Sequence, residues 1–187
     1  LDGFAFSVAA PVLAADLVVN LPKVKSHSLT MLTAAVKNMY GAVPGYAKTT
    51  LHRQHPKPEV FGRLVRTLWK VLPPSWSLAD AVVGMEGQGP ANGRPVKLGF
   101  LAASDSPFAL DRALCDVLHI DARRVPYLAG PEAAAEGYLR SGDAVTVASF
   151  EVPSGAHLLK LLPDWLVRRA GAVVWVRPAF SAAACVG

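Results

Sequence analysis

The feature that most constrains this chain is an alternation. Short β-branched apolar runs take turns with longer stretches whose apolar residues recur at helical spacing. Ala15–Pro22 reads as a buried strand closed by Asn20 and Pro22, with Lys23–His27 as the loop at its carboxyl end. Ser28 can cap a predicted helix over 29–40, with Leu29, Leu32, Val36 and Met39/Tyr40 on one side and Gly41 as its stop. A second helix is predicted over 58–72, ended by Pro73-Pro74. Strands follow at 79–85 and 97–103, separated by a Gly- and Pro-rich loop over 86–95. Ser106-Pro107 opens a helix to about Ile120. Further elements are predicted at 131–140 (helix), 144–150 (strand), 156–170 (helix) and 171–176 (strand). The pattern implies an α/β fold: a mostly parallel or mixed β-sheet covered by helices, one domain over 1–177, with 178–187 as a linker. Ligands of such sheets sit beyond strand carboxyl ends, which singles out the loops at 23–27 and 86–95.

Composition narrows the class. In 187 residues, 19 Lys and Arg against 14 Asp and Glu leave a net charge of +5, and 52% of the chain is apolar, a balance that excludes a disordered chain. No run approaches the roughly 18 apolar residues of a membrane span. Two cysteines are too few for a disulfide framework and suit a reducing compartment, so a soluble cytoplasmic protein is expected.

The excess charge is local. From Lys23 to Arg66 eight Lys and Arg face a single acid, Glu59, with His27, His52 and His55 interleaved. On the predicted helix, Thr30, Thr33, Lys37 and Asn38 share the side away from Leu32 and Val36, and an ordinary solvated face would carry more charge. Lys23, Lys25 and His27 at a strand end, with Lys37 and Asn38 beyond, therefore form a candidate anion site. The bland alternative is a basic surface with a satisfied core Lys and Asn. Helical spacing would set His27 and Lys37 about 15 Å apart along the axis.

Asp80, Glu86, Asp105 and Asp111 fall at strand ends or just inside a helix, beside Gly84, Gly87, Gly89 and Gly93. Such carboxylates can hold a divalent cation, act as acid or base, or pair with the lysines. Asp105 and Asp111 can equally serve only the helix terminus. The glycine loop has neither Walker nor dinucleotide spacing, and no Gly-x-Ser-x-Gly, His-Glu-x-x-His or Cys-x-x-Cys motif occurs. Cys115 reads as a packed thiol.

Taken in order, Leu21-Pro-Lys-Val-Lys-Ser-His27, Thr33-Ala-Ala-Val-Lys-Asn-Met-Tyr-Gly41, Pro44-Gly45, Lys48, His52, Gly84-Met-Glu-Gly-Gln-Gly-Pro90, Gly93 and Ala109-Leu-Asp111 resemble the signature series of the domain-of-unknown-function family numbered 362. The resemblance covers about residues 10–150. It implies a prokaryotic protein of unassigned biochemistry, often followed by a ferredoxin-type segment binding 4Fe-4S clusters. Cys185-Val-Gly187 is similar to the start of such a segment, and the chain reads as truncated at both ends. One thiolate cannot hold a cluster that takes four, so Cys185 could be a ligand only in a longer protein. The resulting expectation is a domain of an iron-sulfur-linked oxidoreductase that binds a small anionic substrate, with a fused or partner ferredoxin domain. Its candidate catalytic residues are His27, Lys37, Glu86 and Asp111, and its anion-binding residues Lys23, Lys25, Asn38, Lys48 and His52. The alternative is a non-catalytic basic module for nucleic acid, although the stretch has few aromatics for stacking. The apolar tail around Leu158–Val167 could lie on an anionic membrane or pack on the sheet.

Overall fold

The computed structural model describes residues 1–73, 75–130, 137–153, 163 and 166. Its spine is one long strand, β4 (Ser75–Gln88) in a sheet of five strands. β5 (Asn92–Ser104) runs antiparallel to it, from Ser77 opposite Ser104 to Gln88 opposite Asn92. Along the other edge lie β1 (Val18–Asn20) and β2 (Lys23–His27), both parallel to β4. Leu21-Pro22 interrupts these two, yet the Pro22 carbonyl still accepts the Asp80 N–H at 2.8 Å. β3 (Met31–Thr33) folds back antiparallel on β2. The sheet is thus mixed, and with its helices it forms the single α/β domain that the alternation implies.

In chain order the helices are α1 (Ala10–Leu13), α2 (Ala35–Asn38), α3 (Ala47–Gln54), α4 (Pro58–Trp69) and α5 (Pro107–Val117). Helices α2, α4 and α5 supply the core that closes on the sheet, and the two further short helices complete the set. α4 starts where Pro58 sets the first turn and Glu59 favours the helix dipole, and it buries Phe61, Leu64, Val65 and Leu68 completely. Gly62 is required there, because an added Cβ would lie 2.5 Å from the Pro126 carbonyl carbon. α5 is capped by the Ser106 hydroxyl, which accepts the Ala109 N–H at 3.2 Å, and it buries Leu110 and Leu114. These side chains close on Val24, Leu32, Val36, Ala79 and Ala81 of the sheet side. The period of two along β4 sends Ser77, Ala79 and Ala81 inward and Trp76, Leu78 and Val82 outward, where they are about half exposed. Among the described residues no helix is long and apolar enough to cross a membrane.

Several predicted elements take other forms. Lys23–His27 is a strand, not a loop, and the helix expected over 29–40 is instead a turn, the strand β3, the single turn of α2 and a 3-10 turn over Met39–Ala42. Met31 stands in the left-handed region at φ 64°, which no helix permits. The Gly- and Pro-rich loop shrinks to the turn at 89–91, because residues on both sides of it pair across β4 and β5. Residues 137–140 are not helical and 144–150 form no strand; 131–136 lie outside the described residues. So do the elements expected at 156–170 and 171–176, apart from Pro163 and Leu166.

Candidate anion site

β2 and its return strand organise the site. Alternation along β2 puts Val24 and Ser26 on one face and Lys23, Lys25 and His27 on the other. Thr33 is the register partner of Lys25, so it shares that second face. His27 is buried, and its Nδ1 accepts the backbone N–H groups of Leu29 at 3.1 Å and Thr30 at 3.4 Å. An imidazole nitrogen that accepts carries no proton, so the remaining proton resides on Nε2. The same two bonds tie down the turn, whose ends His27 and Met31 pair across the ladder.

The turn then delivers Lys37. α2 is too short to persist alone, and it is fixed from three sides. The Asp111 carboxylate accepts the Ala35 N–H at 2.7 Å and the Val36 N–H at 3.0 Å, acting as a cap supplied from α5. Trp69 Nε1 donates to the Val36 carbonyl at 2.9 Å. Asn38 Nδ2 donates to Asn20 Oδ1 at 2.7 Å, and Asn20 in turn donates to the Ala35 carbonyl and Ser77 Oγ. α3 brings in His52, whose ring lies 6.1 Å from that of His27 and 4.5 Å from that of Phe61.

Burial and mutual charge act on these groups together. Burial drives the His27 imidazole down to about 2, and the positive charges of Lys37 and His52 add to the effect. His52 is lowered to about 4, again by burial first and Lys37 second. Lys37 is lowered to about 8 by burial, with Lys25 as the second cause. Lys25, Lys37, His27 and His52 thus act on one another as one electrostatic group. His27 and His52 are neutral at physiological pH, and Lys37 is poised near it. A half-buried ammonium without a counter-charge is costly, and an incoming anion removes that cost.

The remaining candidates are placed elsewhere. Lys23 is held by Asp80 at 2.6 Å and by the Val83 carbonyl at 3.0 Å. Lys48 reaches the Gly41 carbonyl at 3.4 Å, while its own carbonyl accepts the Tyr40 hydroxyl. Asn38 braces α2 as described. Glu86 is buried in β4, where Oε1 meets Arg94 Nε at 3.1 Å and Oε2 accepts the Glu151 N–H at 2.9 Å. Asp111 is fully buried on α5, and burial raises its pKa to about 7 against the pull of its two backbone bonds. Glu86 and Asp111 therefore serve separate parts of the structure, and each has both oxygens engaged. Among the described residues no group of three or more His, Cys, Asp and Glu side chains could hold a metal ion.

The sequence reading overlooked Thr33 as a site residue. Its hydroxyl is buried without a hydrogen-bond partner among the described residues, on the face that carries Lys25. The signal was its place beside Lys37 on a face lacking ordinary charge, but the assumed helix hid its pairing with Lys25.

The fold and this cluster define an α/β domain on a mixed sheet, with lysines and neutral imidazoles gathered around one short parallel strand and its return. The chain belongs to the family described as domain of unknown function 362 (DUF362), whose family model matches residues 4–116. It is 40% identical over 119 residues to a thylakoid-associated protein of Synechocystis sp., an alignment that covers 63% of this chain and 37% of that protein. The chain thus spans little more than a third of that relative's length. No solved structure matches it.

Proposed function

We propose that this domain binds a small anion between Lys25 and Lys37, with His27, His52 and the Thr33 hydroxyl as neutral hydrogen-bonding partners. The observation that carries the reading is the buried Thr33 hydroxyl without a hydrogen-bond partner on the face of Lys25, beside two lysines and two imidazoles that act on one another electrostatically. The rigid clamp on α2 fits a binding role, because Asp111, Trp69 and Asn20 hold the Lys37 backbone in place before any ligand arrives. In this reading Asp111 is a positioning residue, not an acid or base.

The broader role we propose is that of a substrate-binding domain in an iron-sulfur-linked oxidoreductase of a reducing, cytoplasmic compartment. Its support is the resemblance of Cys185-Val-Gly187 to the opening of a ferredoxin segment; Cys185 lies outside the described residues. The chain's own residues do not fit a cluster. It has two cysteines where four thiolates are needed, and Cys115 is a buried free thiol whose pKa burial pushes above the usual range. No electron-transfer step is therefore assigned to this domain.

Thermal unfolding with phosphate, small carboxylates and an oligonucleotide, at constant ionic strength, tests the binding proposal. A ligand selective for the folded state raises Tm in proportion to ln(1 + [L]/Kd). The expected result is a saturable rise with a small anion that Lys37→Ala removes and Lys48→Ala retains. Stabilisation by the oligonucleotide alone, with a steep salt dependence, would replace this reading with a nucleic-acid one.

A further inference from the structure

We propose that the outer side of the sheet around β1 and the first half of β4 is a self-association surface, and that its occupant is a second copy of this chain. The inference is independent of the anion site. Alternation along β4 turns Trp76, Leu78, Asp80 and Val82 away from the side that buries Ser77, Ala79 and Ala81. Val19 is the register partner of Trp76, and Leu101 that of Asp80, so both join the outer side. Leu21 meets Leu78, Val82 and Leu101 around an open hollow of about 570 Å³. Val19, Leu21, Trp76, Leu78, Val82 and Leu101 are each 40–65% exposed.

An apolar side of this size is unusual on a free surface. β1 and β2 both run parallel to β4, and parallel strands are ordinarily buried on both sides. The six side chains present about 600 Å², the upper end of what a lone monomer exposes in one patch. Across two copies that makes about 1,200 Å², where specific interfaces begin. Charge then selects the partner. Lys23 Nζ lies 2.6 Å from Asp80 Oδ2, both side chains are a little under half exposed, and among the described residues they are the charged members of the hollow's lining. One cation beside one anion leaves the patch neutral, so it favours neither an acidic nor a basic partner, nor an anionic membrane. A copy of the same patch turned through half a revolution is complementary to it. The register supplies the geometry. Lys23 on β2 stands opposite Asp80 on β4, so the line joining their charges runs across the strands. A twofold axis parallel to the strands, midway between β4 and its β1–β2 side, sets Lys23 of each copy over Asp80 of the other, and Val19 over Trp76. That axis also keeps the strands of the two sheets aligned, as in sheets that pack face to face.

Sedimentation equilibrium of the whole 187-residue chain over about 1–300 μM tests the proposal. The expected result is a reversible monomer–dimer equilibrium, weakened about tenfold in Leu101→Ser because each dimer loses that contact twice. Lys23→Asp and Asp80→Lys should each be monomeric with unchanged far-UV circular dichroism, since like charges then meet across the interface. An equimolar mixture of the two should associate again, because each like-charged pair now faces its opposite. A wild-type chain that stays monomeric throughout the range would overturn the proposal. So would charge variants that dimerise as well as the wild type, or a mixture that stays monomeric after both have lost the dimer: cover by residues of the same chain cannot be rescued by a second one. If either charge variant fails to fold, Leu101→Ser at its exposed edge position decides alone, and an undiminished dimer in that variant counts against the surface.

Discussion

Replacing His52 by Gln should flatten the acid side of the stability profile. His52 is lowered from an ordinary 6.5 to about 4 in the folded protein, by burial and by Lys37. Between those two values the unfolded chain binds a proton that the folded one refuses, so stability is present above about 6.5 and is lost as pH falls towards 4. At pH 5 the difference spans 1.5 pH units, and at about 1.4 kcal/mol per unit His52 alone removes about 2 kcal/mol relative to pH 7.5. His27 still refuses its proton at pH 5 in either protein, so its contribution cancels in the comparison. So does that of Asp111. The loss of ring packing on Phe61 offsets the variant at every pH and leaves the slope untouched. Urea unfolding of both proteins from pH 7.5 to 5 reads the effect. The wild type should lose about 2 kcal/mol more than the variant across that range. Parallel curves would show that His52 titrates alike in both states, and the buried cationic surroundings inferred for it would be wrong.

Two further substitutions probe what holds the site. Asp111→Ala strands the Ala35 and Val36 N–H groups in the core and should cost about 2–4 kcal/mol by chemical unfolding, with weaker anion binding. Asp111→Asn should cost less. Because the folded pKa of Asp111, about 7, lies above its unfolded value of 3.8, stability is lost as pH rises between those two values, and the Asn variant should lack that loss. Gly62→Ala should destabilise by about 1–3 kcal/mol, although Ala is the better helix former, because its Cβ meets Pro126 backbone at 2.5 Å. Equal or greater stability in that variant would refute the tight α4 contact.

The amphipathic helices were legible because their apolar period is long and their starts carry signals: Pro58 with Glu59, and Ser106 with Pro107. The segment 29–40 misled for a physical reason. Leu29, Leu32 and Val36 are spaced as on a helix and are indeed buried, but so short an apolar set also fits a strand and a turn, and pairing with β2 decided the matter. That change reverses the expected separation within the site. A straight helix would hold His27 and Lys37 far apart, whereas the return through Met31 brings Lys37 near enough to depress the His27 pKa. Residues 86–95 read as a loop because they are rich in Gly and Pro, and Pro95 in particular cannot donate to a ladder. β5 pairs with β4 alone, and such an edge strand tolerates it. Gly89 and Gly93 mark close approaches instead, an added Cβ lying 2.3 Å from the Ser26 carbonyl oxygen and 2.5 Å from Met85. Glu86 and Asp111 were plausible from charge alone, and only the fold shows their oxygens occupied by Arg94, Glu151, Ala35 and Val36.

The anion site is tested most directly by an NMR titration of the chain with phosphate at constant ionic strength and pH 7, following the ring signals of its five histidines. An anion seated between Lys25 and Lys37 adds negative charge beside His27 and His52. Those two rings should therefore shift together along one saturating curve while His119, bonded to the Val147 carbonyl, stays still. Binding that moves other histidines and leaves His27 and His52 unchanged, or no saturable shift at all, would contradict the account.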